Sequence, residues 1–197
     1  MATVKSDRRV KYTKMILKKS ITELLTEKPI EKITVKEICE RADVNRGTFY
    51  SHYSDQFDLY NSIIGELIEG VFERLGDFLT SGRQDLLKSV ALVYEYIKEN
   101  STLVGVLLQS NTGYSLDTQL CEIIEKVYLK NIKNNVSDDS IVDAAYSFMA
   151  SGNIGLIKYW INTGMEKSVE EMASLSVRIS TAGLSAISPN ISPILTF

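Results

Sequence analysis

The chain of 197 residues has little proline, and its glycines do not form a recognisable loop motif. Its three prolines are Pro29, Pro189 and Pro193, which leaves the 159 residues of 30–188 without one. Because proline is excluded from helix interiors but common in loops and at strand edges, so long a gap favours a mostly helical chain. The eleven glycines form no GxGxxG or GxxxxGK[ST] pattern, which argues against a phosphate-binding loop.

Metal ligands and catalytic groups are scarce as well. Cys39, Cys121 and the single histidine, His52, cannot supply a disulfide framework or a four-ligand zinc site, so we expect no metal and no cofactor. One histidine without a partnered nucleophile offers no catalytic constellation, and we expect no enzyme activity. No stretch reaches the ~18 apolar residues of a membrane span, and no secretory signal is visible. We therefore expect a cytoplasmic protein that does not enter a membrane.

Apolar spacing and capping signals divide the chain into about nine helices, so we predict an all-α fold. A first helix over about residues 8–27 ends before Pro29. Thr34 and Glu37 form a capping box that opens a second helix of about eight residues. Asn45 is a good N-cap for a third short helix over about residues 45–52. The remaining predicted helices are about 56–80, 84–99, 102–110, 115–134, 138–163 and 168–187.

Charge is unevenly divided along the chain, whose net charge is −3. Residues 1–53 hold 12 Lys and Arg against 7 Asp and Glu, a net +5, whereas residues 54–197 hold 10 against 18, a net −8. This asymmetry is typical of a small DNA-binding module on a larger acidic domain, although a chance excess of surface lysines would give the same count. The basic part also has the spacing of a helix-turn-helix, two short helices joined by a tight turn.

The second of these short helices carries polar groups on one side. On helical spacing Phe49 and Tyr53 share a face and are predicted to be core. The other side carries hydrogen-bonding groups that suit phosphates and base edges. These are Arg46, Thr48, Tyr50, Ser51 and His52. Gly47 lets the backbone approach a surface closely.

The stretch from Ile33 to Tyr53, followed by Ser-Asp-Gln-Phe-Asp-Leu59, resembles the N-terminal domain of the tetracycline-repressor (TetR) family of bacterial regulators. The resemblance in motifs covers about residues 8–60, and beyond it the likeness is one of helix number and length. Two positions depart from the family pattern. The turn glycine is Asp43, which tolerates a left-handed backbone, so we expect the turn to form. The lysine that usually opens helix four is Gln56, which removes one expected phosphate contact.

The resemblance implies a homodimer with a DNA-binding helix-turn-helix domain at residues 1–54 and a regulatory domain at residues 55–197. The regulatory domain would hold a ligand pocket and the dimer contacts. The implied function is transcription regulation by a repressor that a small molecule or a protein co-regulator releases from a palindromic operator in double-stranded DNA. Together the exposed face and the resemblance assign these residues to DNA: Thr34, Lys36, Asn45, Arg46, Gly47, Thr48, Tyr50, Ser51 and His52. The alternative is a helical interaction module or ligand carrier whose helix-turn-helix does not bind DNA.

In the predicted regulatory domain, aromatic residues and one methionine are candidate ligand contacts, although such residues at helical spacing are more often core. They are Tyr94, Tyr114, Tyr128, Tyr146, Met149 and Trp160. Few charges fall at buried positions, which favours an apolar or neutral ligand. Small residues on the last two helices permit close helix approach and are candidate dimer contacts, with ordinary intramolecular packing as the alternative. They are Ser147, Ser151, Gly155, Ala182 and Ala186.

Overall fold

A computed structural model describes residues 2–81, 86–109, 115–132 and 139–187, and its regular elements in these ranges are all helices. The helices are α1 (Ala2–Leu25), α2 (Val35–Ala42), α3 (Arg46–Tyr50), α4 (Gln56–Ser81), α5 (Leu86–Glu99), α6 (Ser101–Leu107), α7 (Leu116–Ile132), α8 (Asp139–Asn162) and α9 (Val169–Ile187). A 3₁₀ turn, Ile30–Lys32, precedes α2. The all-α prediction is confirmed. The largest difference in bounds is at α1, which begins at Ala2 rather than near residue 8.

The chain divides into two compact units, which we call the head and the body. Within the described residues, the head consists of the chain up to Leu67 together with Gln109. The body consists of Ile68–Leu108 and the residues from Ser115 onward, and it contains α5 to α9. This division lies inside α4. The physical reason is that α4 is one continuous helix whose first turns bury Leu59 and Ile63 within the head.

The head has a small apolar core built from its first three helices. Leu17 and Ile21 of α1, Ile38 of α2 and Phe49 of α3 are fully buried. Packing of α1 on α2 and of α2 on α3 brings these side chains together. Burying each one removes it from water and stabilises the fold by about 1.5–3 kcal/mol. The core therefore holds two helices that are too short to be stable alone.

The body is formed by α5 packed on α9, α7 on α8, and α8 on α9. Trp160 near the end of α8 is fully buried, and its ring meets Tyr94 of α5 edge to face with centroids 5.4 Å apart. The indole N–H donates to the Lys167 carbonyl at 2.8 Å, which ties the end of α8 to the start of α9. Between the two helices Gly164 and Met165 have φ of 71° and 58°, so α8 ends in a left-handed turn.

The two cysteines are free thiols, Cys39 buried and Cys121 partly exposed. Burial raises the pKa of both thiols, so both stay protonated near neutral pH. Across the described ranges, His, Cys, Asp and Glu side chains nowhere gather in threes that could hold a metal ion. The helices in those ranges are all too short or too polar to cross a lipid bilayer.

Candidate nucleic-acid interface and ligand cavity

Helix α2 begins at a capping box. The Thr34 hydroxyl accepts from the Glu37 N–H at 3.3 Å, and Glu37 Oε2 accepts from the Thr34 N–H at 3.0 Å. Glu37 also pairs with Lys28, in the segment that joins α1 to α2. The pKa of Glu37 is lowered to about 2, mainly by its hydrogen bond from Lys28 and next by its hydrogen bonds with Thr34. The start of α2 is therefore fixed by hydrogen bonds to its backbone N–H groups and by the ion pair between Glu37 and Lys28.

The turn between α2 and α3 is a left-handed one at Asp43, with φ 52° and ψ 47°. The Asp43 N–H donates to the Cys39 carbonyl, and the Val44 N–H donates to the same oxygen at 3.0 Å. Aspartate adopts this conformation at lower cost than most residues because its short polar side chain bonds locally. The turn expected at Asp43 forms although the glycine of the family pattern is absent.

Helix α3 is five residues long and is held by its own side chains at both ends. The Asn45 side-chain oxygen accepts from the Gly47 N–H at 2.8 Å, as an N-cap. At the other end the Ser51 hydroxyl donates to the Thr48 carbonyl at 2.7 Å. Phe49 is fully buried and anchors the helix to the head. These bonds present the opposite side of α3 to solvent.

Most residues predicted to contact DNA are exposed. Eight are exposed and one, His52, is half-buried. The exposed ones are Thr34, Lys36, Asn45, Arg46, Gly47, Thr48, Tyr50 and Ser51. Tyr50 is 58% exposed, although its ring meets the buried Phe49 edge to face at 5.6 Å. Lys36 forms an ion pair with Glu40, one helical turn away, in which Lys36 Nζ lies 3.7 Å from Glu40 Oε1. Arg46, Thr48 and Tyr50 are the outward polar groups of α3 itself.

Gly47 has no packing reason to be glycine within the described chain. A Cβ at this position would meet only the Asn45 side-chain oxygen, at 3.4 Å, which is an ordinary contact. Glycine in a helix is less favourable than alanine by about 1 kcal/mol. A glycine at this position leaves room for the close approach of another surface.

The body contains an apolar cavity of about 70 Å³ between α4, α5, α7, α8 and α9. Its lining has no charged side chain and consists of Val71, Leu75, Val90, Val93, Tyr94, Ile97, Leu120, Ile123, Ile124, Val127, Asn153, Ile157 and Ser176. Three of these have polar groups: Tyr94, Asn153 and Ser176. Burying an ion without a partner is strongly unfavourable, so these walls suit an uncharged molecule. The resemblance places a ligand pocket in this part of the chain, and that role of the cavity stays a prediction.

Among the predicted ligand residues, Tyr94 lines the cavity. Met149 and Trp160 are buried and Tyr146 is half-buried, and none of the three lines it. Tyr114 and the side chain of Tyr128 lie outside the described residues. The ligand roles of all six therefore stay predictions.

Sequence reasoning missed the polar pair in the cavity wall, Asn153 and Ser176. Asn153 interrupts an apolar face of α8 between Met149 and Ile157, each four residues away, and this interruption could have indicated it. The aliphatic lining has no comparable signal, because such residues form any helical core.

The predicted dimer residues are all exposed on α8 and α9: Ser147, Ser151, Gly155, Ala182 and Ala186. Large apolar side chains are exposed on the same two helices. Phe148 is 71% exposed, Ile179 is 48% exposed and Ile141 is 43% exposed. We call these eight residues the α8–α9 surface. Exposed apolar groups gathered with small residues are typical of a surface that a partner covers.

Two family models match this chain. Residues 19–63 match the model described as bacterial regulatory proteins, tetR family, and residues 84–181 match the model described as transcriptional regulator C-terminal region. The first match contains the whole of α2, the turn and α3. The second contains the cavity-lining residues of α5 to α9.

Similar proteins include regulators with a helix-turn-helix (HTH). The HTH-type regulator YxbF of Bacillus subtilis is 32% identical over 88 residues, 41% of this chain but only 23% of that protein's length. The HTH-type transcriptional activator FasR of Mycolicibacterium smegmatis is 22% identical over 180 residues, 84% of this chain and 80% of that one. The crystal structure of a TetR transcriptional regulator from Streptococcus agalactiae is 24% identical, with a TM-score of 0.66, over 95% of this chain and 99% of that one. This last likeness shows the same fold.

Proposed function

The chain belongs to the tetR family of bacterial regulatory proteins, and from this premise we propose that it regulates transcription by binding a palindromic operator as a homodimer. The observation that carries the proposal is the exposed polar side of α3, held by the capped α2–turn–α3 unit. Helix α3 enters the major groove, where Arg46 and Thr48 reach base edges or nearby phosphates. Tyr50 and His52 contact phosphates or the thymine-methyl side of the groove.

Charge supports this assignment. Residues 1–53, which include the proposed DNA contacts, carry a net charge of +5 that attracts phosphate. Residues 54–197 carry a net charge of −8 that repels it. Lys36, at the start of α2, contacts a backbone phosphate in the proposed complex. Each such contact releases counterions and adds about 0.9 to the slope of log affinity against log salt. The acidic part keeps non-specific binding low, so the operator contacts are confined to the helix-turn-helix.

The α8–α9 surface is the proposed dimer interface. Its small residues allow two helices to approach closely, and Phe148 and Ile179 would leave water when a second copy covers them. Two copies related by a two-fold axis present two α3 helices to two half-sites. In helix-turn-helix dimers these half-sites are about 34–36 Å apart, one turn of DNA. The operator is palindromic because the protein dimer is symmetric.

Regulation is proposed to come from a signal bound by the body, either a small molecule in the cavity or a protein co-regulator. The signal lowers operator affinity, with a coupling free energy of about 1–3 kcal/mol, and releases a repressor. Activation is the second candidate, because FasR is an activator. A reporter gene behind the selected operator, measured with and without the protein, distinguishes the two. Such a regulator works on the chromosome, so we place it in the cytoplasm and assign it no catalytic step.

The test begins by selecting bound duplexes from a random library at moderate salt. Arg46→Ala and Tyr50→Ala are each expected to weaken binding of the selected operator by about 1–3 kcal/mol, measured by fluorescence anisotropy. The matched control is Lys88→Ala, which removes an equal charge from an exposed position in the body.

Unchanged affinity in both head variants would show that α3 is not the recognition helix. No retardation of any duplex at low salt would instead favour the alternative function, an interaction module or carrier that does not bind DNA.

A further inference from the structure

The strongest unexplained feature is a polar network at one side of the cavity in the body. Asn153 of α8 is buried, and its Nδ2 group donates to the Met149 carbonyl at 2.8 Å and to the Ser180 hydroxyl at 3.0 Å. The Ser176 hydroxyl of α9 donates to Asn153 Oδ1. Asn153 and Ser176 both line the cavity. The network therefore contacts whatever occupies this space.

The direction of each hydrogen bond in the network follows from one fixed partner. A backbone carbonyl can only accept, so the amide nitrogen of Asn153 must face Met149 and its oxygen must face the other way. The second N–H of the amide is used by Ser180, and the single proton of Ser176 is used by Asn153 Oδ1. All three donors are then engaged inside the protein.

The remaining hydrogen-bonding capacity of Asn153 and Ser176 is that of acceptors. A side-chain amide oxygen has two lone pairs, of which Ser176 uses one, and a hydroxyl oxygen has two of its own. A bound hydroxyl group could donate to either oxygen without breaking the network. At these two residues a ketone or ester, which offers only lone pairs, would face lone pairs, and a carboxylate would add an uncompensated buried charge.

The volume limits the size of the occupant. A cavity of about 150 Å³ lined by apolar side chains is large enough for benzene, and this one is about 70 Å³. Roughly three to five heavy atoms fit without displacing the walls. Aliphatic side chains such as Val71, Leu75 and Ile157 form most of those walls, which suits a short hydrocarbon chain.

We propose that the cavity binds a short aliphatic alcohol, with its hydrocarbon chain against the aliphatic walls and its hydroxyl donating to Asn153 Oδ1 or Ser176 Oγ. This inference rests on the proposed function in one respect, that a ligand in the body is the regulatory signal. The ligand class itself follows from the cavity and its network and does not depend on DNA binding.

The direct test is titration of the purified full chain, without DNA, by protein-observed NMR. The probes are four-carbon molecules that differ in their polar group: 1-butanol, 2-butanone and butyrate. We expect 1-butanol to bind about tenfold or more tightly than 2-butanone, and butyrate to give no saturable shift. The ketone at equal concentration controls for solvent effects. Equal binding of the alcohol and the ketone, or tighter binding of butyrate, would overturn the proposal.

Two variants locate the acceptor. Asn153→Leu is expected to reduce the preference for the alcohol to within about threefold, because it removes the amide oxygen and the network around it. Tyr94→Phe is the matched control, since it removes the other polar group of the lining and should leave the preference unchanged. Loss of the preference in Tyr94→Phe would overturn the assignment to Asn153 and Ser176. The probe series on the unmodified chain remains decisive if Asn153→Leu does not fold.

A separate measurement addresses regulation. Release of the selected operator by 1-butanol, but not by 2-butanone at equal concentration, would support the alcohol as the signal. Saturable binding without release would overturn that regulatory role and leave the alcohol site standing. Failure of the protein to bind any duplex would defeat the proposed function alone, because the titration is made without DNA.

Discussion

The helix-turn-helix of the head and the α8–α9 surface of the body expose different kinds of group. In the head, polar side chains of α3 such as Arg46 and Tyr50 point outward over a mostly apolar core. In the body, the network around Asn153 is buried, while Phe148 and Ile179 are exposed. A polar outer face suits a charged, hydrated partner, and an apolar outer face suits a protein partner that removes it from water. This difference is what the proposed function requires, with DNA at one surface and a second copy at the other.

Two glycines in helices make the same contrast. A Cβ at Gly70 of α4 would overlap the ring of Tyr96, so the ring requires the missing side chain. The Arg74 guanidinium covers that ring, 3.9 Å from its centroid, and donates to the Gly70 carbonyl at 2.8 Å. Gly47 of α3 meets no such neighbour. Packing inside the chain explains Gly70, whereas the missing side chain of Gly47 leaves an open surface that the proposed duplex can approach.

The largest expected effect comes from making the outer face of the body polar. Phe148→Glu puts a charge at the most exposed large apolar residue of the α8–α9 surface. In the proposed dimer that charge would be buried opposite its own copy, so we expect a monomer at micromolar concentration in analytical ultracentrifugation. Operator affinity should fall by more than about 100-fold, because a monomer reads only one half-site.

The control for this variant is Thr102→Glu, an exposed position of α6 outside that surface, which should leave the dimer intact. A Phe148→Glu protein that sediments like the unmodified chain would show that the apolar face of the body serves another purpose.

An intermediate effect is expected from the two glycines, and in opposite directions. Gly70→Ala should destabilise the body by about 1 kcal/mol, because displacing the ring of Tyr96 costs more than the helix gains from alanine. Gly47→Ala should stabilise α3 by up to about 1 kcal/mol and still weaken operator binding about tenfold, because its methyl group meets the duplex. Thermal unfolding and fluorescence anisotropy measure the two quantities separately.

A Gly47→Ala protein with unchanged operator affinity would remove the argument that another surface approaches this glycine. Equal stability changes at the two positions would remove the contrast between head and body.

The smallest expected effect concerns the ion pair at the start of α2. Because the folded protein lowers the pKa of Glu37 to about 2, its ionised form stabilises the head above pH 4.5, and this contribution is lost as the pH falls towards 2. Glu37→Gln keeps a side chain that can complete the capping box but removes the charge opposite Lys28. We therefore expect a shallower loss of stability between pH 4.5 and pH 2 in acid unfolding followed by circular dichroism.

Glu40→Gln is the comparison for that measurement, since it removes a carboxylate from the same helix whose ion pair with Lys36 is longer, 3.7 Å. A change in acid stability as large in Glu40→Gln as in Glu37→Gln would show that the shared helix, and not the Lys28 pair, sets the pH dependence.

The features of the head were largely predictable because they depend on bonds between residues close in the chain. The capping box joins Thr34 and Glu37, which are three positions apart, and the N-cap bond of Asn45 reaches a residue two positions away. The left-handed turn depends on the identity of Asp43 itself. The exposed side of α3 followed from helical spacing once Phe49 was identified as core. The start of α1 was less certain because its first turn has no apolar periodicity to mark it.

The sequence by itself therefore determined the helical class, the helix-turn-helix and its outward polar side, since these arise from local hydrogen bonds and periodic burial. Only the tertiary structure decided the division of α4 between head and body, the ring of Tyr96 over Gly70, and the lining of the cavity. The network that joins Asn153 to Ser176 and Ser180 spans 23 and 27 residues of sequence. Such contacts depend on how α8 packs against α9, and helical spacing specifies which face is buried but not which side chain it meets.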